Sequence, residues 1–193
     1  MSIVGIFGGT FDPIHTGHLI TAQAVRELRG LDKIIFIPAF ISPHKTEIPT
    51  LSPEHRFAMV KLAIKNIPYF DFSDLEINTA TISYTIETLR VLIKKYNKIE
   101  LIIGYDNILK FSSWKEPDEI LKLAKIIVLN RKLTQEPIDK DRFYNSALFV
   151  DTPTIEISSS EIRERVSKNL PLNFLVPEEV QKYIYHFNLY KEK

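Results

Sequence analysis

Four short apolar runs recur along the chain, at residues 3–7, 33–37, 99–103 and 125–129. They stop at Gly8-Gly9, Pro38, Gly104 and Asn130 and read as buried strands. An alternating run at 71–77 and a short apolar one at 148–150 read as further strands. Helical spacing occupies 18–28, 53–67, 85–96, 116–123, 159–167 and 177–187. Gly30 suits the C-cap of the first helix, and Ser52-Pro53 suits the start of the second. Strands alternating with helices predict right-handed βαβ units, hence the α/β class: a Rossmann-like, doubly wound parallel sheet with helices on both faces. The polar stretches 38–51 and 132–145 are expected to be mobile loops, the first closing over substrate.

Length changes the picture little: 193 residues suit one domain, 1–193, with a full core. The hydrophobic fraction of 45% and charged fraction of 25% are those of a globular protein. A net charge of +1 argues against a general nucleic-acid binder but leaves room for a small anion in a locally positive pocket. The absence of cysteine removes disulfides, thiolate nucleophiles and thiolate metal sites, and fits a reducing compartment. No run approaches the roughly 20 apolar residues of a membrane span, and the N-terminus lacks a signal-peptide pattern. No membrane partner and a cytoplasmic location are therefore expected.

Ligands of such sheets bind at the carboxyl ends of the strands, where strand order switches. Those ends carry Gly8-Gly9-Thr10, Pro38, Gly104-Tyr105-Asp106 and Asn130-Arg131. Residues 8–18 read Gly-Gly-Thr-Phe-Asp-Pro-Ile-His-Thr-Gly-His. Adjacent glycines allow a tight turn and close backbone approach, and Thr10 adds a hydroxyl. The helix that follows offers free N–H groups and the positive end of its dipole to phosphate. His15 and His18 share one side of its first turn; as donors to phosphate they would be strengthened by protonation. A lone glycine pair is weak evidence, and isolated histidines are usually structural. A zinc site is disfavoured, because no Cys or nearby third His completes four ligands. Asp12 is read as shaping the turn before Pro13.

A second constellation, Ile157-Ser158-Ser159-Ser160-Glu161-Ile162-Arg163, has capping-box spacing from Ser158 to Glu161 and a cation within two turns. By itself it would be an ordinary capped helix. Together, however, the two segments closely resemble the signatures of the HxGH nucleotidyltransferase superfamily, with His15 and His18 as its histidines. That resemblance implies that the serine-rich helix start binds the ATP triphosphate beside Arg163, with the helices from about 159 completing the site.

The likeness extends over nearly the whole chain. Phe36-Ile37-Pro38-Ala39, Pro43-His44-Lys45, His55-Arg56, Ser83-Tyr84-Thr85, Ile103-Gly104, Asp106 and Trp114 resemble bacterial nicotinate-mononucleotide adenylyltransferases. The family pattern implies that Trp114 stacks on the pyridine ring. It also implies that backbone amides near Tyr84, Thr85 and Lys115 hold the pyridine carboxylate, and that Asp106 meets the adenosine ribose. Thr10, His15, His18, Lys45 and Arg163 are the catalytic candidates; Gly8, Gly9, Gly104, Asp106, Ile157, Ser158, Ser159, Ser160 and Arg131 are the ATP candidates. Plainer readings stand beside these: core packing for Trp114, an N-cap for Thr85, a cap for Asp106, a solvated charge for Lys45, and a helix-surface charge for Arg56. Asn130-Arg131-Lys132 departs from the Arg-Pro-Gly of relatives, so the loop after Arg131 is expected to be rebuilt.

The resemblance implies adenylyl transfer from ATP to nicotinate mononucleotide, giving deamido-NAD and pyrophosphate. Mg²⁺ would come with ATP, held by phosphates and water, without a protein metal site. The same chemistry on nicotinamide mononucleotide or phosphopantetheine, and an ATP-sensing module without turnover, are the alternatives. Oligomeric state is left open, a homo-oligomer included.

Overall fold

The computed structural model describes residues 2–43, 49–129 and 140–191. Among these, six strands form one parallel sheet: β1 (Ile3–Gly9), β2 (Lys33–Pro38), β3 (Phe70–Phe72), β4 (Lys98–Gly104), β5 (Lys125–Leu129) and β6 (Leu148–Val150). Their order is β3-β2-β1-β4-β5-β6. The order reverses between β1 and β4, which pair from Ile3 opposite Lys98 to Phe7 opposite Ile102. The site is expected at the C-terminal ends of these two strands.

Helices α1 (Thr16–Arg29), α2 (Pro53–Ile64), α3 (Leu75–Thr79), α4 (Thr85–Leu92), α5 (Tyr105–Ile108), α6 (Pro117–Leu123), α7 (Arg142–Ser146), α8 (Ser159–Ser167) and α9 (Glu178–His186) surround the sheet. Strand side chains alternate between two cores. Phe7, Ile34, Phe36, Ile102 and Ile127 pack with residues of α1, α2, α8 and α9. Val4, Ile6, Ile35, Leu101, Ile103 and Val128 pack with residues of α4 to α7. Helices on both faces follow from this two-sided burial. Among the described residues, no helix is long and apolar enough to cross a membrane.

Several expected boundaries move, each for a local reason. The alternating run 71–77 is not one strand: β3 ends at Phe72 and α3 begins at Leu75. The Ser73 hydroxyl accepts from the Leu75 N–H, so the side chain takes over a backbone donor and starts a turn. The second helix ends at Ile64 rather than 67, because Pro68 biases the residue before it away from helix. The fourth stops at Leu92, and residues 94 and 95 close with tighter bonds, such as Lys95 N–H to Leu92 at 2.9 Å. The stretch 132–145 is not wholly a loop, since α7 starts at Arg142. Asp141 caps it, accepting from the Tyr144 N–H at 2.8 Å. The first helix begins two residues earlier than expected and closes at Gly30 with φ +61°, a backbone state that suits glycine.

Candidate active site

At the end of β1 the glycine pair does not turn. Gly8 and Gly9 continue the strand opposite Ile37 and Pro38. The reversal falls on Phe11, at φ +50°, followed by a cis bond between Asp12 and Pro13. Phe11 is buried. His15 then occupies the N-cap of α1.

The two histidines are stacked, with ring centroids 3.7 Å apart. The His15 backbone N–H donates to His18 Nδ1 at 3.2 Å. An accepting Nδ1 carries no proton, so the neutral His18 ring has its proton on Nε2. His15 is buried, and desolvation lowers its pKa to about 4. It is therefore neutral at pH 7, which corrects the expectation that protonation strengthens both rings. Gly17 explains the close fit. A Cβ there would lie 3.1 Å from His15 Nδ1 and 3.2 Å from Ile155 Cγ2. Any side chain would push against the imidazole and the segment leading to α8.

The two signatures meet. Ser159 Oγ donates to the Pro13 carbonyl at 2.9 Å. Arg163 Nη1 donates to the Asp12 carbonyl at 2.8 Å, and Nη2 to Ser160 Oγ at 3.1 Å. Ser158 caps α8 by accepting from the Glu161 N–H. Ser159 spends its O–H on Pro13, whereas Ser158 and Ser160 accept and keep their O–H donors, so these two hydroxyls and the backbone N–H groups of α8 are what this helix start can offer an anion. The Thr16 N–H, at the start of α1, reaches the Leu175 carbonyl at 2.9 Å.

Arg56 is not on the helix surface. It is 1% exposed. Its Nε donates to the Leu51 carbonyl at 3.0 Å, Nη1 to Thr10 at 2.7 Å and Nη2 to Phe40 at 2.9 Å. Burial lowers its pKa, while nearby Asp12 opposes that shift. The guanidinium pins the Thr10 turn to both ends of the segment that carries Lys45. Lys45 and Arg131 themselves lie outside the described residues.

Across the switch point, Gly104 forms the N-cap of α5 and Asp106 lies in its first turn. Tyr84 is the N-cap of α4, and Thr85 its first residue. Trp114 is half-buried and lies 5.0 Å from the Phe111 ring at 32°. A cavity of about 590 Å³ between α3 and α4 is lined by Tyr84 and Lys115, together with Glu76, Glu87 and Thr88. Thr85 and Trp114 are not in that lining. Lys115 Nζ pairs with Glu87 at 2.9 Å and sits 4.8 Å from the Tyr84 ring centroid. Thr88 Oγ1 donates to Glu76, whose pKa is raised by burial.

A family model described as cytidylyltransferase-like matches residues 6–165. A Thermoanaerobacter protein named probable nicotinate-nucleotide adenylyltransferase is 40% identical, over 98% of this chain and 94% of its own length. One of the same name from Caldicellulosiruptor saccharolyticus is 41% identical, over 98% and 99%. The chain belongs to the nicotinate-nucleotide adenylyltransferase branch of the cytidylyltransferase-like family. Plasmodium falciparum nicotinic acid mononucleotide adenylyltransferase, solved with NaAD, shares its fold at a TM-score of 0.79 and 22% identity, covering 98% of both chains. The same protein solved with APC gives 0.75.

Within this family member, sequence reasoning missed Gly17 and the contact partners of Asp12, and it read Arg56, named in the resemblance, as a helix-surface charge. Arg56 carried a signal: Met59, Val60 and Ala63 follow it at helical spacing and are buried on the same stripe. The Asp12 carboxylate carried none. It accepts from Tyr190, 178 residues away, at 2.7 Å, and from the Leu51 N–H at 3.4 Å.

Proposed function

We propose that this chain transfers the adenylyl group of ATP to nicotinate mononucleotide, releasing pyrophosphate. The observation that carries the reading is the junction of Asp12-Pro13 with Ser159 and Arg163, which brings two helix starts to one place. Each start presents N–H groups and positive dipole to anions.

The mononucleotide 5′-phosphate is a dianion for much of its time at pH 7, since its second pKa is near 6. One of its oxygens attacks the α-phosphorus. A new P–O bond forms, the α–β bridge breaks, and pyrophosphate leaves with the electron pair. No proton has to be removed from the nucleophile, so positioning and positive potential are what the protein supplies. His18 donates from Nε2, and neutral His15 fixes that tautomer through its backbone N–H. Arg163, Lys45, Thr10 and the α1 and α8 N–H groups meet phosphate oxygens; Arg131 and Asp106 serve the nucleotide. Trp114 stacks on the pyridine, and the Tyr84–Thr85 and Lys115 region takes its carboxylate.

Mg²⁺ enters as part of the substrate, on the phosphates. The donors around Asp12 and Pro13 are N–H groups and a guanidinium, the chemistry of an anion cradle. The Asp12 carboxylate is already engaged by Tyr190 and Leu51.

Pyrophosphate release measured with MgATP and each of nicotinate mononucleotide, nicotinamide mononucleotide and phosphopantetheine tests the reading. The acid is expected to give the highest kcat/KM. Tight ATP binding with no pyrophosphate from any acceptor would replace it with a sensing role.

A further inference from the structure

We propose that Tyr190 is a positioning residue for this site: its phenol fixes the Asp12 carboxylate and, through Asp12, the turn that sets Thr10, His15 and the Arg163 contact. Its effect on turnover rests on the adenylyl-transfer reading above, whereas the linkage to nucleotide binding does not.

Asp12 is 5% exposed, a charged group held against an anion site. Such a group is costly unless its oxygens are satisfied. Among the described residues, the cations nearest in the network bond elsewhere: Arg56 to three carbonyls, Arg163 to the Asp12 carbonyl and Ser160. The carboxylate is left with two neutral donors. The Leu51 N–H is long, at 3.4 Å. The Tyr190 hydroxyl, at 2.7 Å, is the strong one.

The chain end is shaped to deliver that hydroxyl. After α9, Asn188 and Tyr190 both adopt left-handed backbone, at φ +49° and +63°. A tyrosine there is strained and has to be held by its surroundings. Leu189 is buried and the Tyr190 ring packs on the core beside it. Burial and the Asp12 charge push the phenol pKa far up, so it remains a donor across the working pH range.

The consequence follows from the shared backbone. The residue whose carboxylate Tyr190 holds offers its carbonyl to Arg163, and Pro13 beside it receives Ser159. Without the phenol, an oxygen of Asp12 is left unsatisfied, and the turn shifts under both signatures. Sub-ångström misplacement of this kind lowers the rate while the fold survives.

The test is Tyr190→Phe, which keeps the ring. At a temperature where the variant is folded, kcat is expected to fall about 10-fold, with the KM for the mononucleotide within about twofold. In a double-mutant cycle, Tyr190→Phe combined with Asp12→Ala should lose no more than Asp12→Ala alone, because the two act as a unit. Multiplying losses, or an unchanged kcat in Tyr190→Phe, would overturn the proposal. If Tyr190→Phe does not fold, Asp12→Asn against Asp12→Ala decides. Asparagine keeps an acceptor for the phenol and should lose clearly less kcat than alanine; equal losses sink the idea. If the wild type binds ATP but makes no pyrophosphate with any acceptor, the transfer reading fails. The same cycle read on ATP affinity then still decides the linkage.

Discussion

Around Asp12 and Pro13, the proposed phosphate side of the site is tied together by bonds that end on backbone carbonyls. Arg56 holds Thr10, Phe40 and Leu51, Arg163 holds Asp12, and Ser159 holds Pro13. On the proposed pyridine side, Lys115, Glu87, Arg90 and Glu116 form a chain of ion pairs between exposed side chains, at 2.9, 3.5 and 2.6 Å. The first arrangement is buried and fixes the chain path, so it can pre-aim donors before ATP arrives. The second is solvent-screened and weak pair by pair, so its partners can be exchanged for substrate at little cost. One side is built to keep its shape and the other to trade contacts.

Removing the buried anchor should do the most damage. Arg56→Met keeps the stem and leaves three inward carbonyls without their donor. Each unsatisfied buried acceptor costs about 1–3 kcal/mol, and partial relaxation should hold the total to about 3–5 kcal/mol. Urea unfolding checks this, with ATP affinity falling alongside stability. A change under 1 kcal/mol would mean that water replaces the guanidinium and that the rigid side is less rigid than its bonds imply.

Acid should loosen the same side next. A histidine whose folded pKa lies below its unfolded value binds fewer protons folded than unfolded, so protonation favours unfolding. For His15 the folded value is about 4 against 6.5. Its contribution is intact above about pH 6.5 and is lost as pH falls toward 4. Each pKa unit is worth about 1.4 kcal/mol, so the full loss is on the order of 3 kcal/mol. Stability measured from pH 7 to 4 should fall more steeply for the wild type than for His15→Asn. Parallel curves would show that some other group carries the acid sensitivity.

The two sides also differed in how legible they were in the sequence. On the proposed phosphate side, residues 8–18 and 157–163 stood out because anion binding by helix starts needs particular residues at fixed local spacing, and the structure brings the two segments together. Strands β1, β2, β4 and β5 were legible because buried parallel strands are continuous apolar runs. The bonds that hold this side together were not, since they join residues distant in sequence, such as Tyr190 to Asp12 and Ser159 to Pro13. The run at 71–77 misled because its alternation was read without weighing Ser73 as a turn former. On the proposed pyridine side, Tyr84 and Lys115 are brought to one cavity, whereas Trp114 is not in its lining. The Glu87 partner of Lys115 was not legible, because it comes from α4, 28 residues earlier in the chain.

His18→Ala tests the pre-aimed donor directly. Loss of one donor matched to the transition state costs about 10²-fold in kcat. The assay is single-turnover pyrophosphate release at saturating MgATP and mononucleotide. Because the neighbouring N–H groups stay fixed, ATP affinity should move far less than kcat. An equal loss in both would make His18 a simple binding group.

Lys115→Gln should give the smallest effect, and its sign is the informative part. The ammonium is held above Tyr84 by Glu87, and Glu87 retains Arg90 if Lys115 leaves. Lys115 can therefore turn to the pyridine carboxylate without stranding a charge. Glutamine keeps the reach and removes the charge. The preference for nicotinate over nicotinamide mononucleotide, read as a ratio of kcat/KM, should fall about 3- to 5-fold, the scale of an exposed ion pair. That drop should shrink in 1 M salt, where the Debye length is about 3 Å. Glu87→Gln releases the ammonium and should hold or raise the same ratio. If both variants lower kcat/KM equally for the two acceptors, the Lys115–Glu87 pair only braces α4, and the contrast between a fixed phosphate side and an exchangeable pyridine side fails at its weakest contact.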